Sequence, residues 1–346
     1  MINSNSYPVF PEDCRSQLSR HLSKEIFEEL SGRQTSNGYS LQQAINSGIK
    51  NPDSNIGVYA GDAESYTLFA ALFDPIIRDY HGFSPTDNHQ SNLNPDDLDA
   101  PNPDPEGDYI VSTRIRVGRN VAGFPLGPAI SSQQRNSVEQ QVLNALNALE
   151  GKLSGTYYPL PGMSESDRKQ LIEDHFLFKA GDRFLEAAGL NRDWPQGRGI
   201  FHNDEKTFLV WVNEEDQLRI ISMQMGGDIK AVFSRLSTAI TAIESRVKFL
   251  YSEHLGYLTS CPTNLGTAMR ASVHIKLPKL ATDRPAFDAI AERHHLQIRG
   301  IHGEHSDSEG GVYDISNLRR LGVTEVQCVQ DMVDGVVELI STEKSL

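Results

Sequence analysis

The segment YIVSTRIRVGR (Tyr109–Arg119) alternates apolar and polar side chains. In a β-strand, successive side chains point to opposite faces of the sheet. One face would carry Val111, Thr113, Ile115 and Val117, and the other Ser112, Arg114 and Arg116. The pattern therefore predicts a strand with one apolar and one basic face. The basic face is either a solvated surface or part of an anion site.

Other segments repeat this pattern. In RASVHIKLP and the residue before it, the apolar face would hold Met269, Ala271, Val273, Ile275 and Leu277, and the polar face Arg270, Ser272, His274 and Lys276. In NEEDQLRIISMQ, Glu215, Gln217 and Arg219 share a face, and Arg299 stands just before a glycine-rich loop. Because a guanidinium binds phosphate oxygens through a fork of donors and keeps its charge, this convergence predicts a phosphate site.

The order of the segments predicts an α+β fold. No strand pattern appears before residue 108, where the chain indicates helices, one of them bent or broken near Pro75. Residues 84–107 contain five prolines and many Asp and Asn residues, which is typical of a linker. Strands are predicted at 109–118, 207–213, 217–225, 270–278 and 324–329, and helices at 132–150, 164–178, 228–252, 284–296 and 329–342. We predict a small all-helical domain (1–83), a linker (84–107) and a larger domain (108–346) with an antiparallel sheet flanked by helices.

Composition excludes several classes of protein. The formal net charge of −14 argues against a nucleic-acid-binding protein or one that binds anionic membranes. No apolar run approaches the ~18 residues of a transmembrane helix, and the first residues lack the features of a secretory signal. The three cysteines form neither a disulfide framework nor a metal-binding spacing, so we expect a cytoplasmic protein.

The acidic residues supply a second candidate site. NEED provides Glu214, Glu215 and Asp216 at a strand end, and a glycine-rich loop carries Glu304. Paired carboxylates can clamp a cationic guanidinium, although acidic turns are also common on surfaces. Cys261 lies near basic residues in the sequence, which would favour its thiolate, but a lone Cys before Pro is more often a small buried hydrophobe. The chain carries no P-loop, protein-kinase or Rossmann motif, so a nucleotide site here would be built from arginines on a sheet.

Taken together, these motifs resemble those of the phosphagen (guanidino) kinases, and the resemblance spans essentially the whole chain. It is carried, in order, by DSNIGVYAGDAE, STRIRVGR, DHFLFKAGDRFL, GRGIFHNDEKTFLVWVNEEDQLRIISMQMGGD, CPTNLGT with RASVHIKLP, and GEHSDSEGGVYDISN. The resemblance implies a small helical domain followed by an antiparallel sheet domain. It also implies reversible phosphoryl transfer between MgATP and a guanidino nitrogen, with Mg²⁺ held mainly by nucleotide phosphates and water.

The family pattern also implies roles for single residues. Arg114, Arg116, Arg219, Arg270 and Arg299 match phosphate-binding arginines, with Ser112 beside the first two; His175 and His274 match positions that line adenine and ribose, and His305 is a further nucleotide contact. Glu215 and Glu304 match the carboxylates that hold the guanidinium, and Cys261 matches the active-site thiol. These three are the predicted catalytic residues.

The guanidino-specificity loop is predicted at residues 53–64. Ser54, Asn55 and Ile56, with Tyr59, would hold the substrate's α-carboxylate, and the tyrosine resembles members that act on free L-arginine. Asn55 stands where Gly is expected, and Gln217 where His is usual. Three alternatives remain: a kinase for another guanidino compound, a protein-arginine kinase, and a nucleotide-binding protein without catalysis. The family pattern allows either a monomer or a homodimer.

Overall fold

The computed structural model describes residues 6–174, 176–178, 181–300 and 310–346. Its N-terminal part is helical, and in the described residues the first strand begins at Ile110. The helices before it are α1 (Gln17–His21), α2 (Lys24–Leu30), α3 (Leu41–Lys50), α4 (Ser65–Leu68) and α5 (Ala70–His81). The side chains of Ser16, Ser23 and Ser40 accept hydrogen bonds from the first turns of α1, α2 and α3, which satisfies amides that have no partner within the helix.

A mixed region of strands and helices follows. The strands are β1 (Ile110–Arg119), β2 (Thr156–Pro159), β3 (Gly199–His202), β4 (Phe208–Val212), β5 (Leu218–Met225), β6 (Tyr251–Ser252), β7 (Gly256–Tyr257), β8 (Met269–Lys276), β9 (Leu296–Gly300) and β10 (Val312–Asn317). The helices are α6 (Ser132–Leu146), α7 (Glu165–Glu173), α8 (Arg183–Ala187), α9 (Ile229–Glu244), α10 (Arg284–Arg293) and α11 (Glu325–Ser345). The described residues also include four short 3₁₀ turns, at Pro95–Asp97, Gly151–Leu153, Pro262–Asn264 and Leu280–Thr282.

Eight of the described strands form one antiparallel sheet in the order β2-β3-β4-β5-β1-β8-β10-β9. Its apolar face packs against helices: α9 lies on β1 and β5, α11 on β8 and β10, and α10 on β9. Ile115, Val117, Ala271 and Val273 have no exposed surface there, as the alternation predicts. The α+β fold class expected from the sequence is confirmed.

One face assignment on β1 is wrong. Val111 was expected on the apolar face, but it is 42% exposed, and Ile110 takes the buried place instead. The pairing of β1 with β8 shifts between Ile110 and Ser112. A bulge of this kind reverses the faces of the residues that precede it.

Several other sequence expectations differ from the structure. The helix predicted at 228–252 ends at Glu244, and Tyr251–Ser252 form β6. Residues 324–329, predicted as a strand, form the start of α11, where Thr324 and Gln327 make a capping box. Helix α5 continues through Pro75, and the interruption lies at Phe69, between α4 and α5. A proline within the chain therefore does not mark the break in this helical segment.

The predicted linker lies against the larger domain. Ser91 Oγ and the Asn92 amide donate to the buried Glu325 carboxylate, and Leu98 and Ala100 join the core beneath the sheet. The N-terminal helices form a second core that includes Leu126, Leu190, Leu258 and Leu265 from beyond the linker. The boundaries 1–83, 84–107 and 108–346 stay a prediction.

Candidate active site

The predicted phosphate-binding arginines share the sheet face opposite to α9, α10 and α11. Arg114 and Arg116 are two residues apart on β1, so their side chains point the same way. Arg270 of β8 pairs directly with Arg116, and Arg219 of β5 pairs with Gly118. Because paired residues of neighbouring strands lie on the same face, three strands bring four guanidinium groups together.

Strand pairing extends this polar face to β9. Ser112 pairs with His274, His274 pairs with Asp314, and Asp314 pairs with Arg299. The sequence-predicted residues Ser112, His274 and Arg299 therefore lie on the same face as the other four arginines. The structure brings these seven predicted residues onto one surface.

Crowding of the arginines makes this surface strongly favourable for anions. Burial, together with Arg219 and Arg270, lowers the pKa of Arg114 to about 10. Burial and the guanidinium groups of Arg219 and Arg114 place the pKa of Arg116 well below its ordinary value. Like charges raise each other's free energy when they are close and desolvated, so an anion in this cleft relieves an existing repulsion.

The aromatic ring of Trp211 supports the arginine cluster. Trp211 pairs with Arg219 across β4 and β5, and its ring centroid lies 5.3 Å from Arg219 Cζ and 5.7 Å from Arg114 Cζ. Its Nε1 donates to the Phe176 carbonyl at 2.7 Å. A ring fixed in this way offers its electron-rich face to both cations.

Glu215 lies beside the arginines, in the bend between β4 and β5. Its Oε2 accepts from Arg219 at 3.0 Å, and its Oε1 accepts from Asn264 Nδ2 at 3.2 Å. Burial raises the pKa of Glu215 to about 7, because Asp216 and Glu214 add to the effect of burial and outweigh the opposing charge of Arg219. The carboxyl is therefore poised to change ionisation near neutral pH.

A cleft joins the carboxylate to the arginines. It is lined by Arg116, Val117, Gly118, Glu215, Asp216, Arg219, Asn264, Ala268, Arg270 and Arg320. Its lining contains both guanidinium groups and carboxyl groups. Such a space suits a phosphate next to a cationic group.

Cys261 is buried beside this cleft, but its ionisation differs from the expectation. Its Sγ lies 3.1 Å from Thr263 Oγ1, and burial followed by the charge of Glu215 raises its pKa to about 12. The expectation of a thiolate favoured by basic neighbours is wrong, since burial and then the charge of Glu215 both disfavour ionisation of the sulfur. The group is a thiol at neutral pH.

The predicted specificity loop is anchored against α1 and α3. The amides of Gln17 and Leu18 donate to the carbonyl oxygens of Asn55 and Ile56 at 2.9 and 3.0 Å. The Gly57 amide donates to Ser54 Oγ at 3.0 Å. These bonds occupy the loop's carbonyls and leave the amides of Asn55 and Ile56 out of the anchoring.

Tyr59 links the loop to Cys261. It is buried, and burial followed by the charges of Cys261 and Glu215 raises its pKa above the ordinary value. The next residue, Ala60, donates its amide to the Ser260 carbonyl at 2.7 Å. The loop and the thiol therefore lie close together in the fold.

The two departures from the family pattern have structural explanations. Asn55 does not adopt a positive φ, so its backbone does not require glycine. The requirement falls instead on Gly57, whose φ is +80° and where a Cβ would lie 2.8 Å from Leu18 Cβ. Gln217 is buried, accepts from the Val121 amide at 2.7 Å, and donates to the Pro125 carbonyl at 2.8 Å, so it holds the start of β5 in place.

Sequence reasoning missed four residues of the site: Trp211, Asn264, Asp314 and Arg320. Asp314 Oδ2 lies 2.9 Å from Arg270 and 3.8 Å from His274 Nε2. Burial opposes ionisation of Asp314, yet these two neighbours lower its pKa to about 2. The alternation of VYDISN was the available signal, because it places Asp314 on a polar face. Three predicted residues, His175, Glu304 and His305, lie outside the described residues.

Comparison with known proteins assigns the family. The model of the ATP:guanido phosphotransferase C-terminal catalytic domain matches residues 137–346, and the model of the corresponding N-terminal domain matches residues 12–78. A protein named arginine kinase from Penaeus japonicus is 56% identical over 335 residues, which cover 96% of this chain and 94% of that protein.

The chain belongs to the ATP:guanido phosphotransferase family.

Solved structures of this phosphotransferase family have the same fold. A lombricine kinase structure superposes with a TM-score of 0.92 at 39% identity, covering 100% of this chain and 96% of that one. A duplicated taurocyamine kinase from Schistosoma mansoni, with bound components of a transition-state analogue, gives 0.90 at 44% identity. The match covers 96% of this chain and 47% of that longer one. The enzyme class predicted from the sequence is therefore confirmed: the chain is an ATP-using phosphotransferase with a guanidino acceptor. Within its described residues, no helix combines the length and apolarity needed to cross a membrane.

Proposed function

We propose that this enzyme transfers the γ-phosphoryl group of ATP reversibly to free L-arginine, giving phosphoarginine and ADP. The observation that carries the proposal is the Glu215 carboxylate, bound to Arg219 at 3.0 Å between the arginine face and Cys261. A carboxylate at this position, beside a surface suited to phosphates, would serve as an acceptor for a guanidinium and supports the proposal. The 56% identity to relatives named arginine kinase, and Tyr59 in the loop, support arginine as the substrate.

Each predicted residue receives a proposed role. Arg114, Arg116, Arg219, Arg270 and Arg299 would bind the phosphates with Ser112. His175 and His274 would line adenine and ribose, and His305 would be a further contact to the nucleotide. Glu215 and Glu304 would hold the guanidinium, with Cys261 near its non-reacting nitrogens. Ser54, Asn55, Ile56 and Tyr59 would hold the α-carboxylate. Mg²⁺ would enter with the nucleotide, held by phosphate oxygens and water.

Alignment is the main contribution proposed for these residues. Phosphoryl transfer requires an in-line approach and stabilisation of charge on the moving group. Alignment alone supplies roughly 7–11 kcal/mol in favourable cases, whereas a general base contributes about 10²–10⁴-fold. Glu215 and Glu304 therefore orient the nitrogen first and accept its proton second. The pKa of about 7 on Glu215 allows both roles near neutral pH.

A substrate panel tests the proposal. ADP release is measured with MgATP and free L-arginine, creatine, taurocyamine, glycocyamine, lombricine or an arginine-containing peptide. We expect strong turnover with L-arginine only. Turnover with another free guanidino compound would retain the chemistry and overturn the specificity. Turnover with the peptide alone would identify a protein-arginine kinase, and ADP binding without any turnover an inactive nucleotide-binding protein.

The charge and the cysteines bear on the cellular setting. A net charge of −14 and three free cysteines suit a cytoplasmic protein that binds neither nucleic acid nor membrane, and the family pattern allows a monomer or a homodimer. Sedimentation equilibrium on the purified chain decides between the two oligomeric states. A buffering role for ATP follows if the reaction is readily reversible.

A further inference from the structure

Tyr39 is a buried tyrosine that contacts the predicted specificity loop from the segment just before α3. Its side chain is 1% exposed, and its hydroxyl donates to the Tyr59 carbonyl at 3.1 Å. Burial raises the pKa of this hydroxyl above its ordinary value, so the oxygen keeps the proton that it donates. The role proposed above for the loop does not use this contact.

The peptide unit between Tyr59 and Ala60 is bonded at both of its polar groups. Its oxygen accepts from the Tyr39 hydroxyl, and its N–H donates to the Ser260 carbonyl at 2.7 Å. The amide on the other side of Tyr59 donates to the Ala44 carbonyl of α3 at 2.9 Å. Because a peptide unit is planar, bonds at both of its polar groups prevent it from turning. These contacts therefore fix the backbone from which the Tyr59 side chain projects.

Tyr39 is itself held in place by its neighbours. Thr35 Oγ1 accepts from the Tyr39 amide at 3.2 Å and donates to the buried Asp62 carboxylate at 2.6 Å. The tyrosine ring lies against Gly61, where a Cβ would come within 2.3 Å of the ring. Gly61 does not have a positive φ, so glycine is required there by the space that the ring occupies. The hydroxyl of Tyr39 thus reaches the loop from a fixed position.

We propose that Tyr39 is a positioning residue that fixes the orientation of Tyr59 toward the α-carboxylate of the guanidino substrate. This inference rests on the proposed function, in which Tyr59 and the loop hold that carboxylate. Tyr39 acts through the backbone of Tyr59 and does not need to touch the reacting atoms. Without its hydroxyl, the buried Tyr59 carbonyl would lose its donor, and the peptide unit would turn toward another one.

Tyr39→Phe removes the hydroxyl and keeps the ring against Gly61. We expect KM for the guanidino substrate to rise about three- to tenfold, as the loss of one hydrogen bond would give, with kcat and KM for ATP within about twofold. ADP release at varied concentrations of each substrate measures the three constants. An unchanged KM for the guanidino substrate, or an equal rise in both KM values, would overturn the proposal.

A double-mutant cycle with Tyr59→Phe tests whether Tyr39 acts through Tyr59. Tyr59→Phe keeps the backbone and the ring, but it removes the hydroxyl proposed to hold the carboxylate. If Tyr39 orients that hydroxyl, adding Tyr39→Phe to Tyr59→Phe should raise KM for the guanidino substrate by less than about twofold further. Effects of the two substitutions that multiply independently would overturn the proposal, because Tyr39 would then influence KM by another route.

Tyr7→Phe is the matched control. The Tyr7 hydroxyl donates to the Leu22 carbonyl at 2.6 Å, just after the end of α1, so the same atom is removed from the same kind of bond. Both variants should lower the melting temperature, but only Tyr39→Phe should raise KM for the guanidino substrate. A similar rise in KM for Tyr7→Phe would show that KM responds to general weakening of the helical part, and would count against the proposal.

The wild-type chain separates failure of this inference from failure of the proposed function. Absence of turnover by the wild type with every compound of the substrate panel would refute the proposed function, and the positioning role with it. Turnover by the wild type, together with the same KM for the guanidino substrate in wild type and Tyr39→Phe, would refute the positioning role alone.

Discussion

Arg116 and Arg270 lie directly opposite each other on β1 and β8, two cations in one cross-strand pair. Opposed like charges destabilise a sheet. The neighbouring Arg114 and Arg219 increase the repulsion, and the pKa of Arg116 is far below its ordinary value because burial and these charges act together. The protein therefore retains an unfavourable arrangement where the proposed function needs positive charge.

Replacing Arg116 should make the protein more stable and less active. Arg116→Met removes one charge from the cluster and keeps an apolar stem of similar length. We expect the unfolding free energy to rise by about 1 kcal/mol, as is common for substitutions that relieve functional strain, and kcat to fall by about 10²–10³. Thermal melting and the ADP-release assay measure the two effects. Arg284→Met, at an exposed pair with Asp288 on α10, is the control and should change neither by much. A less stable Arg116→Met chain would show that the cluster is not strained.

The raised pKa of Glu215 predicts how stability depends on pH. A carboxyl whose pKa rises on folding, here from 4.5 to about 7, favours the folded state while it is protonated. Its contribution is fully present below about pH 4.5 and is lost as pH rises through 7. The loss is at most about 3 kcal/mol, because one unit of pKa corresponds to about 1.4 kcal/mol.

Glu215→Gln should therefore remove one downward contribution to the curve of unfolding free energy against pH between pH 4.5 and 7. The remaining slope would come from the other buried groups: burial raises the pKa of Asp216, whereas it lowers the pKa of His81 and His89 to about 4, which makes stability rise with pH in this range. Urea denaturation at half-unit pH intervals measures it. Glu205→Gln, in the turn between β3 and β4, is the surface control. If the curves of wild type and Glu215→Gln run parallel, folding does not shift the pKa of the Glu215 carboxyl.

Glycine is required at position 57 and not at position 55. Gly57→Ala would force a side chain into the left-handed region and against Leu18, so we expect a loss of about 1–3 kcal/mol in stability and a higher KM for the guanidino substrate. Asn55→Gly, two residues earlier, should change KM and the order of substrate preference by less than about threefold, because the Asn55 backbone is already unstrained. The substrate panel and thermal melting measure both. A switch of preferred substrate by Asn55→Gly would show that the Asn55 side chain selects the substrate.

Cys261 should alkylate slowly in the free enzyme. Its thiol has a pKa of about 12 and is buried, whereas hydrogen bonds with Ser16 outweigh burial and lower the pKa of the more exposed Cys14. Because the thiolate is the nucleophile, iodoacetamide should modify Cys14 first, and the rate at Cys261 should still be rising at pH 10. Peptide mass spectrometry after timed quenching gives both rates. A rate at Cys261 that levels off below pH 9 would contradict the assigned pKa.

Much of the site could be predicted from the alternation of apolar and polar side chains along single strands. The patterns at 109–119 and 269–277 place Arg114, Arg116 and Arg270 on one face, and strand pairing then brings them together. The bulge that exposes Val111 could not be predicted from the sequence, because it depends on how β1 pairs with β8. The pKa of Cys261 could not be predicted either. It is set by burial and by the charge of Glu215, which is distant in sequence and close in space.

Local signals also conflicted. Residues 324–329 have the apolar alternation of a strand, but Thr324 and Gln327 have the spacing of a capping box, and the helix prevails because its buried face completes the core under β8 and β10. Asp314 could not be predicted as a site residue, because its contacts are with Arg270 and His274 on β8. The single-strand pattern showed only that it is polar.

The bulge at the start of β1 has a consequence for how this gene tolerates insertions. From Ser112 onward, β1 alternates without interruption between the core and the arginine cleft. An in-frame insertion or deletion of one codon between Thr113 and Val117 would turn guanidinium groups into the apolar core. One codon added ahead of Ile110, or within the proline-rich stretch, leaves that alternation unchanged. A scanning library of single-codon insertions should therefore show a narrow intolerant window along β1 with a sharp boundary at its bulge, a boundary that substitution data alone would not reveal.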